Sequence, residues 1–197
     1  IGKNEMKTNI EGVMYRDIVS LYGLRNPKIL MDMYELLADS TTTPIGFVGM
    51  EKTLGLASET ANMYLQYLQD AFILWSLPFW SRSRKITKKT IPKYYLSDTG
   101  ILKMMALSSR IGHLVETAVV LNVLRYYANG LIGRVGYIRE NNSETDLIID
   151  GKKFEVKTND EMGVIDSDTK YIVLKNNDNN RQKIELWEFL LMNEKEL

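Results

Sequence analysis

The chain has 197 residues, 45% of them hydrophobic and 25% charged, a composition of folded soluble domains rather than of disordered tails or fibrous repeats. Twenty-five Lys and Arg balance twenty-five Asp and Glu, so a net charge of zero selects no class of partner. No cysteine is present and His113 is the only histidine, which excludes disulfide frameworks, cysteine-ligated zinc or iron–sulfur sites, thiol catalysis and His-rich metal centres.

Residues 4 to 22 predict a helix, with Ile10, Met14, Ile18, Leu21 and Tyr22 near helical spacing and Gly23 ending it. Asn26-Pro27 supplies an N-cap and a proline at the first helical position, opening a helix to Asp39 with Leu30, Met33, Leu36 and Leu37 on one face. After a polar break from Ser40 to Pro44, a short helix is expected from Phe47 to Leu54, a turn at Gly55, and a third helix capped by Ser58. That third helix sets Ala61, Leu65, Leu68 and Phe72 in a core stripe and leaves Glu59, Asn62, Met63, Gln66 and Tyr67 outward. Ile73–Phe79 and Lys93–Leu96 read as strands, with the segment between them as a long hairpin loop. Three helices with a tight turn, followed by a hairpin, predict a winged helix-turn-helix.

From Asp98 the pattern changes to α/β. A short helix capped by Asp98 runs through Met105 and a longer one from Ser109 to Asn129. Strands are expected at Val135–Arg139, Glu144–Ile149, Lys153–Thr158, Lys170–Leu174 and Ile184–Trp187, before a closing helix. The expected division is a linker helix over 1–25, the winged helix over 26–97 and an α/β domain over 98–197. No apolar run approaches the ~20 residues of a membrane span; the longest, Ala71 to Trp80, is interrupted by Ser76 and Pro78. With no signal peptide in view, a cytoplasmic chain without a membrane partner is the expectation, and the start at Ile1 rather than Met suggests a piece of something longer.

Charge is spread unevenly. Between Asp70 and Asp98 there is no acid, yet Arg82, Arg84, Lys85, Lys88, Lys89 and Lys93 fall there, a pattern that suits a polyanion. From Glu140 to Asp168 nine acids face only Lys152, Lys153 and Lys157, which suits a divalent cation. Both stretches also read simply as solvated surfaces. Asp150-Gly151 signals a type I′ hairpin turn, because both central residues must take positive φ. Closed there, paired residue numbers sum to 301, so Asp146 lies opposite Glu155 and Glu144 opposite Lys157. These four share one face, while Leu147, Ile149, Phe154 and Val156 share the other. Two opposed carboxylates repel, so one is protonated, a cation neutralises them, or the strands splay. An exposed strand that tolerates two acids, or a register shifted by two, is the plainer alternative.

Asp146, eight intervening residues and then Glu155-Val156-Lys157 resemble the D…(D/E)xK core of the PD-(D/E)xK nuclease superfamily. The resemblance implies a restriction-endonuclease-like α/β fold, with Mg²⁺ or Mn²⁺ held by Asp146, Glu155 and the helical acid Glu116. Lys157 would orient a water or stabilise the transition state, and Glu144 would position that lysine. His113, about one turn before Glu116, would pack or support the site.

More broadly, the segments YRDIVSLYGLRNPKIL (Tyr15–Leu30), YLQYLQDAFIL (Tyr64–Leu74), KYYLSDTGIL (Lys93–Leu102), GHLVETAVVLNVLR (Gly112–Arg125) and ETDLIIDGKKFEVKT (Glu144–Thr158) resemble the C-terminal region of archaeal and bacterial AAA-type ATPases. That resemblance implies an N-terminal ATPase module as partner, although these residues contain no GxxxxGK[ST] loop and so no ATP site of that kind. The helix that the superfamily supplies after the third strand is expected to be short or missing, because Asn159 to Thr169 is acidic and Gly-interrupted.

Three functions follow as expectations: a metal-dependent endodeoxyribonuclease, a catalytically inactive DNA-binding or regulatory module of the ATPase, and a protein-interaction module. DNA contacts are expected from Arg82, Arg84, Lys85, Lys88 and Lys89, with Asn62 and Tyr67 on the third helix. No Lys or Arg lies on that helix's outward face, so binding is expected to be weak, nonspecific and salt-sensitive.

Overall fold

Ile10, Met14 and Ile18 recur every four residues, a spacing that drifts around an α-helix of 3.6 residues per turn. The computed structural model resolves the drift by widening the helix in the middle. It describes residues 2–24, 26–108, 110–140, 143–158, 167–175, 180–193 and 195–197, without the side chains of Lys3, Arg84 and Glu140. Helix α1 (Lys3–Glu11) passes into a π-helical stretch (Gly12–Ile18) and then α2 (Val19–Tyr22). The i→i+5 turns of the π stretch hold more residues each and keep all three side chains buried along one line. Leu21, expected on the same stripe, is 75% exposed.

The chain divides into two compact units, residues Ile1–Ser76 with Pro92–Ser109, and Leu77–Ile91 with Arg110–Leu197. In the first, α3 (Pro27–Asp39) starts at its N1 proline and buries Leu30, Met33, Tyr34 and Leu37. Helix α4 (Phe47–Leu54) ends on the left-handed Gly55. Helix α5 (Ser58–Asp70) follows with Ala57 as its N-cap; Ser58 is the first helical residue instead, and its hydroxyl donates to Glu51. Ala61, Tyr64, Leu65 and Leu68 are buried on α5, but Phe72 is not the end of that stripe. The helix stops at Asp70, Phe72 takes φ +57° and stands 72% exposed, and Ile73 enters the core in its place. The Phe72 amide donates to the Gln69 carbonyl at 2.9 Å and the Ile73 amide to the Leu68 carbonyl at 3.2 Å, which fixes this turn.

Strands β1 (Leu74–Leu77) and β2 (Lys93–Leu96) form a two-stranded sheet. The Tyr34 hydroxyl donates to the Ile73 carbonyl at 3.1 Å, and burial pushes this phenol well above its ordinary pKa. Helix α7 (Thr99–Met105) is capped as expected, Asp98 accepting from the amides of Gly100 at 2.7 Å and Ile101 at 3.1 Å. Lys93, which the sequence counts with the basic run, is fully buried beside these strands.

The second unit is built on a five-stranded sheet ordered β3-β4-β5-β6-β7. Its strands are β3 (Val135–Glu140), β4 (Ser143–Ile149), β5 (Lys152–Lys157), β6 (Thr169–Val173) and β7 (Lys183–Glu185). The first three run antiparallel, and β5-β6 and β6-β7 pair in parallel. Helix α8 (Ile111–Ala128) precedes the sheet and α9 (Leu186–Leu191) closes it. Leu186 and Trp187 therefore start a helix rather than extend the last strand. Glu188 reaches back to the Glu185 amide at 3.1 Å, a capping contact that ends β7 there. Phe189 on α9 meets Phe154 edge-on at 5.7 Å, so α9 covers the face that carries Leu147, Ile149 and Phe154, all at most 4% exposed. The parts of Asn159–Thr169 up to 166, and Asn176–Asn180 up to 179, lie outside the described residues.

The segment between β1 and β2 is not a loop throughout. Arg84–Lys89 forms a helix, α6, in which the Thr87 amide and hydroxyl both donate to the Ser83 carbonyl. Ahead of it, residues 78–80 lie along β3. The Trp80 amide donates to the Tyr137 carbonyl at 2.7 Å and the Tyr137 amide to the Pro78 carbonyl at 3.0 Å. Gly136 permits this approach, because a Cβ there would sit 2.7 Å from the Pro78 oxygen and 2.8 Å from the Trp80 Cβ.

Candidate functional site

The β4-β5 hairpin positions the charged residues. Asp150 (φ +49°) and Gly151 (φ +94°) both take the positive φ that the turn demands. Pairs Ile149↔Lys152, Ile148↔Lys153 and Leu147↔Phe154 keep the expected register. The Asp150 carboxylate also accepts from the amides of Gly133 at 3.1 Å and Arg134 at 2.6 Å, tying the turn to the start of β3.

At the open end the ladder stops at Leu147↔Phe154, one step before Asp146 would face Glu155. The alternation of an antiparallel ladder would next direct the Val156 amide to the Thr145 carbonyl. Instead it donates to Asp146 Oδ2 at 2.9 Å. The strands part here, and β5 continues against β6 with Glu155↔Tyr171 and Lys157↔Val173. Glu144 consequently does not oppose Lys157; it pairs with Arg139 on β3.

Lys157 Nζ donates to Glu155 Oε2 at 2.9 Å, with the Glu155 side chain 16% exposed and that of Lys157 43%. Desolvation is the largest single influence on the Lys157 ammonium and pulls its pKa down. The hydrogen bond and charge of Glu155, then the charges of Asp146 and Tyr171, together prevail and raise it above the ordinary lysine value. Lys157 therefore stays cationic at neutral pH, a fixed charge that feels both carboxylates.

Glu116 and His113 are half-buried on α8, whose first turn adjoins the end of β5; a Cβ on Gly112 would lie 3.7 Å from Thr158 Cγ2. Among the described residues, no group of three or more His, Cys, Asp or Glu stands close enough to hold a metal ion. Asp146 and Glu155 are thus the carboxylates brought near one cation, and Glu116 is not gathered with them as a third ligand.

The basic run presents Arg82, Lys85, Lys88 and Lys89 to solvent on and beside α6; the Arg84 side chain lies outside the described atoms. Arg134, to which nothing in the sequence drew attention, places its guanidinium carbon 5.6 Å from the Trp80 ring centroid and donates to the Ser81 carbonyl. The only sequence signal near it is Trp80 set beside the cations that follow. On α5, Asn62 is exposed, but Tyr67 is half-buried and stacked on Tyr22, with ring centroids 3.7 Å apart and planes 17° from parallel. Gln66 donates to Asp70 at 2.7 Å.

Residues 2–111 match a family model described as a domain of unknown function, DUF8612. The chain belongs to that family. Uncharacterized protein MJ1544 of Methanocaldococcus jannaschii is 24% identical over 163 residues, which are 79% of this chain and 36% of that protein. The chain thus spans little more than a third of the length of that relative. No solved structure matches it. The DUF8612 match takes in α5, the basic helix α6 and the buried Lys93, whereas Asp146, Glu155 and Lys157 lie beyond it. Among the described residues no helix is long and apolar enough to cross a membrane.

Proposed function

We propose that the chain is a DNA-binding, nuclease-like region of a larger AAA-type ATPase, and that its second unit cleaves DNA phosphodiesters with a divalent metal. The observation that carries this reading is the cluster where β4 and β5 part: Glu155 accepts from the Lys157 ammonium, and the Asp146 carboxylate accepts from the amide of Val156, the residue between them. The order of elements supports it: α8, which carries Glu116, precedes the sheet, and Asp146 and Glu155-Val156-Lys157 lie on the adjacent strands β4 and β5, as the PD-(D/E)xK resemblance implies.

The donors fit a hard cation. Mg²⁺ takes one or two protein carboxylates and keeps several waters, so Asp146 and Glu155 suffice without Glu116. When bound, Mg²⁺ or Mn²⁺ supplies a Lewis acid and an acidified water. Asp146 fixes the main chain of β5 through the Val156 amide and so holds Glu155 and Lys157 in place. Lys157 supplies positive charge where negative charge develops on the phosphate.

Nucleic-acid retention falls to the cations on and around α6. The three helices and two-stranded sheet of the first unit support a winged-helix reading with α5 as reading helix. Its exposed face carries no Lys or Arg, and Tyr67 is already stacked, so contacts there are few. MJ1544 is long enough to hold an ATPase module beside the matched part.

A second reading, a catalytically inactive platform, rests on one observation. Asp146 and Glu155 each already have a protein partner, the Val156 amide and the Lys157 ammonium. Cleavage assays on duplex, single-stranded and branched DNA across a Mg²⁺ and Mn²⁺ titration separate the two. The nuclease reading expects nicking that falls at least about a hundredfold in Asp146→Asn, Glu155→Gln and Lys157→Ala. Equal cleavage by parent and variants would remove it. Retention of DNA with no cleavage of any substrate would establish the platform instead. Changing Arg82, Arg84, Lys88 and Lys89 together to Ala should abolish retention, and unaltered retention would overturn the role of α6.

A further inference from the structure

Within the second unit, residues 78–80, α6 and the approach to β3 enclose a groove of about 450 Å³. Phe79, Trp80, Arg82, Lys88, Tyr127 and Arg134 are among its walls, and among the described residues no acid lines it. Three cations and three aromatic rings in one depression form an uncommon surface. Cations alone would serve any polyanion; rings beside them serve a polyanion that also has flat faces to stack.

The groove is also prepared in advance. Arg134 lies over the Trp80 ring and also donates to the Ser81 carbonyl. Phe79 is fixed by an edge contact with Tyr137 at 5.6 Å. Trp80 Nε1 is enclosed without a hydrogen-bond partner. The Asp150 carboxylate accepts from the amides of Gly133 and Arg134 and is not among the residues that line the groove. Tyr127 is 45% exposed and offers an open ring.

We infer that this groove binds single-stranded DNA, holding one or two nucleotides by stacking on Tyr127 and on the Arg134–Trp80 pair while Arg82 and Lys88 contact phosphates. The inference rests on the nucleic-acid reading above for the kind of polymer and adds which form of it is held. Duplex DNA has its base faces stacked against one another and offers a protein only base edges and backbone. Unpaired bases expose those faces, and stacking on aromatic or guanidinium planes is tolerant of sequence. A groove of this volume accommodates single nucleotides and not the width of a duplex.

The test uses the full chain in EDTA, where no metal-dependent cleavage occurs, with a fluorescein-labelled dT12 strand and a duplex of the same length followed by anisotropy. The expected result is tighter binding of dT12 than of duplex. About tenfold weakening is expected in Tyr127→Ala, an exposed position with little bearing on folding. Arg134→Lys, which keeps charge but loses the plane, should weaken dT12 more than duplex. Equal affinity for strand and duplex would overturn the inference, as would dT12 binding unchanged in both variants. Because no cleavage is read, failure here leaves the proposal for Asp146, Glu155 and Lys157 standing. Failure of that proposal leaves the groove standing.

Discussion

The two units use polar side chains differently. In the first, polar groups serve the fold: Asp98 caps α7, Tyr34 holds the Ile73 carbonyl, and Tyr67 and Tyr22 stack beneath a hydrogen bond from Tyr22 to Asp70 at 3.1 Å. In the second, charge collects at two places with modest structural duty, the parted end of β4-β5 and the row on α6. The difference teaches that a helix in the expected reading position needs unspent side chains to read with, and on α5 Tyr67 is stacked on Tyr22 and Gln66 is bonded to Asp70.

Breaking the core of the second unit should give the largest effect. Phe189 is fully buried against Phe154, and Phe189→Ala should cost about 3–5 kcal/mol in urea unfolding. A change under about 1 kcal/mol would mean that α9 is not what closes that face.

The first unit should reveal itself at alkaline pH. Burial pushes the Tyr94 phenol from its ordinary 10.0 up to about 12, and raises Tyr34 as well. A raised folded pKa means the unfolded chain ionises first. The stabilisation is therefore complete below about pH 10 and is lost as pH climbs toward 12, amounting to about 2–3 kcal/mol for Tyr94. Tyr94→Phe should flatten unfolding midpoints measured across this window, and an unflattened profile would count against a buried phenol.

A smaller effect belongs to Asp98→Ala, which frees the amides of Gly100 and Ile101 and should cost about 1 kcal/mol by thermal unfolding. The smallest sharpens the contrast itself. Tyr67→Ala should change duplex retention by less than about twofold while lowering stability by about 0.5–1.5 kcal/mol through the lost stack. A large loss of retention would mean that Tyr67 itself contacts DNA.

The hairpin was legible because its determinants are neighbours. Asp150-Gly151 fixes the turn, the turn fixes the register, and Leu147, Ile149 and Phe154 follow to one face. Where β4 and β5 part was not legible, since it depends on a side chain, Asp146, taking a main-chain acceptor's place at the Val156 amide while β5 stays anchored to β6 along its other edge. Phe72 misled because periodicity continues on paper after a helix has ended. Arg84–Lys89 misled in the opposite sense, since a run of cations between two strands reads as a loop until Ser83 and Thr87 bond across it. Arg134 and Trp80 lie more than fifty residues apart, and only the pairing of residues 78–80 with β3 brings them together.

That pairing depends on something position 136 lacks. One methyl there would collide with the Pro78 oxygen and with Trp80, and the least costly escape is for the segment to peel from the sheet's margin. Arg82 and Lys88 would travel with it. A residue with neither charge nor side chain thus acts as the latch for the molecule's cationic row, and a neutral substitution at 136 would disarm that row without touching any member of it.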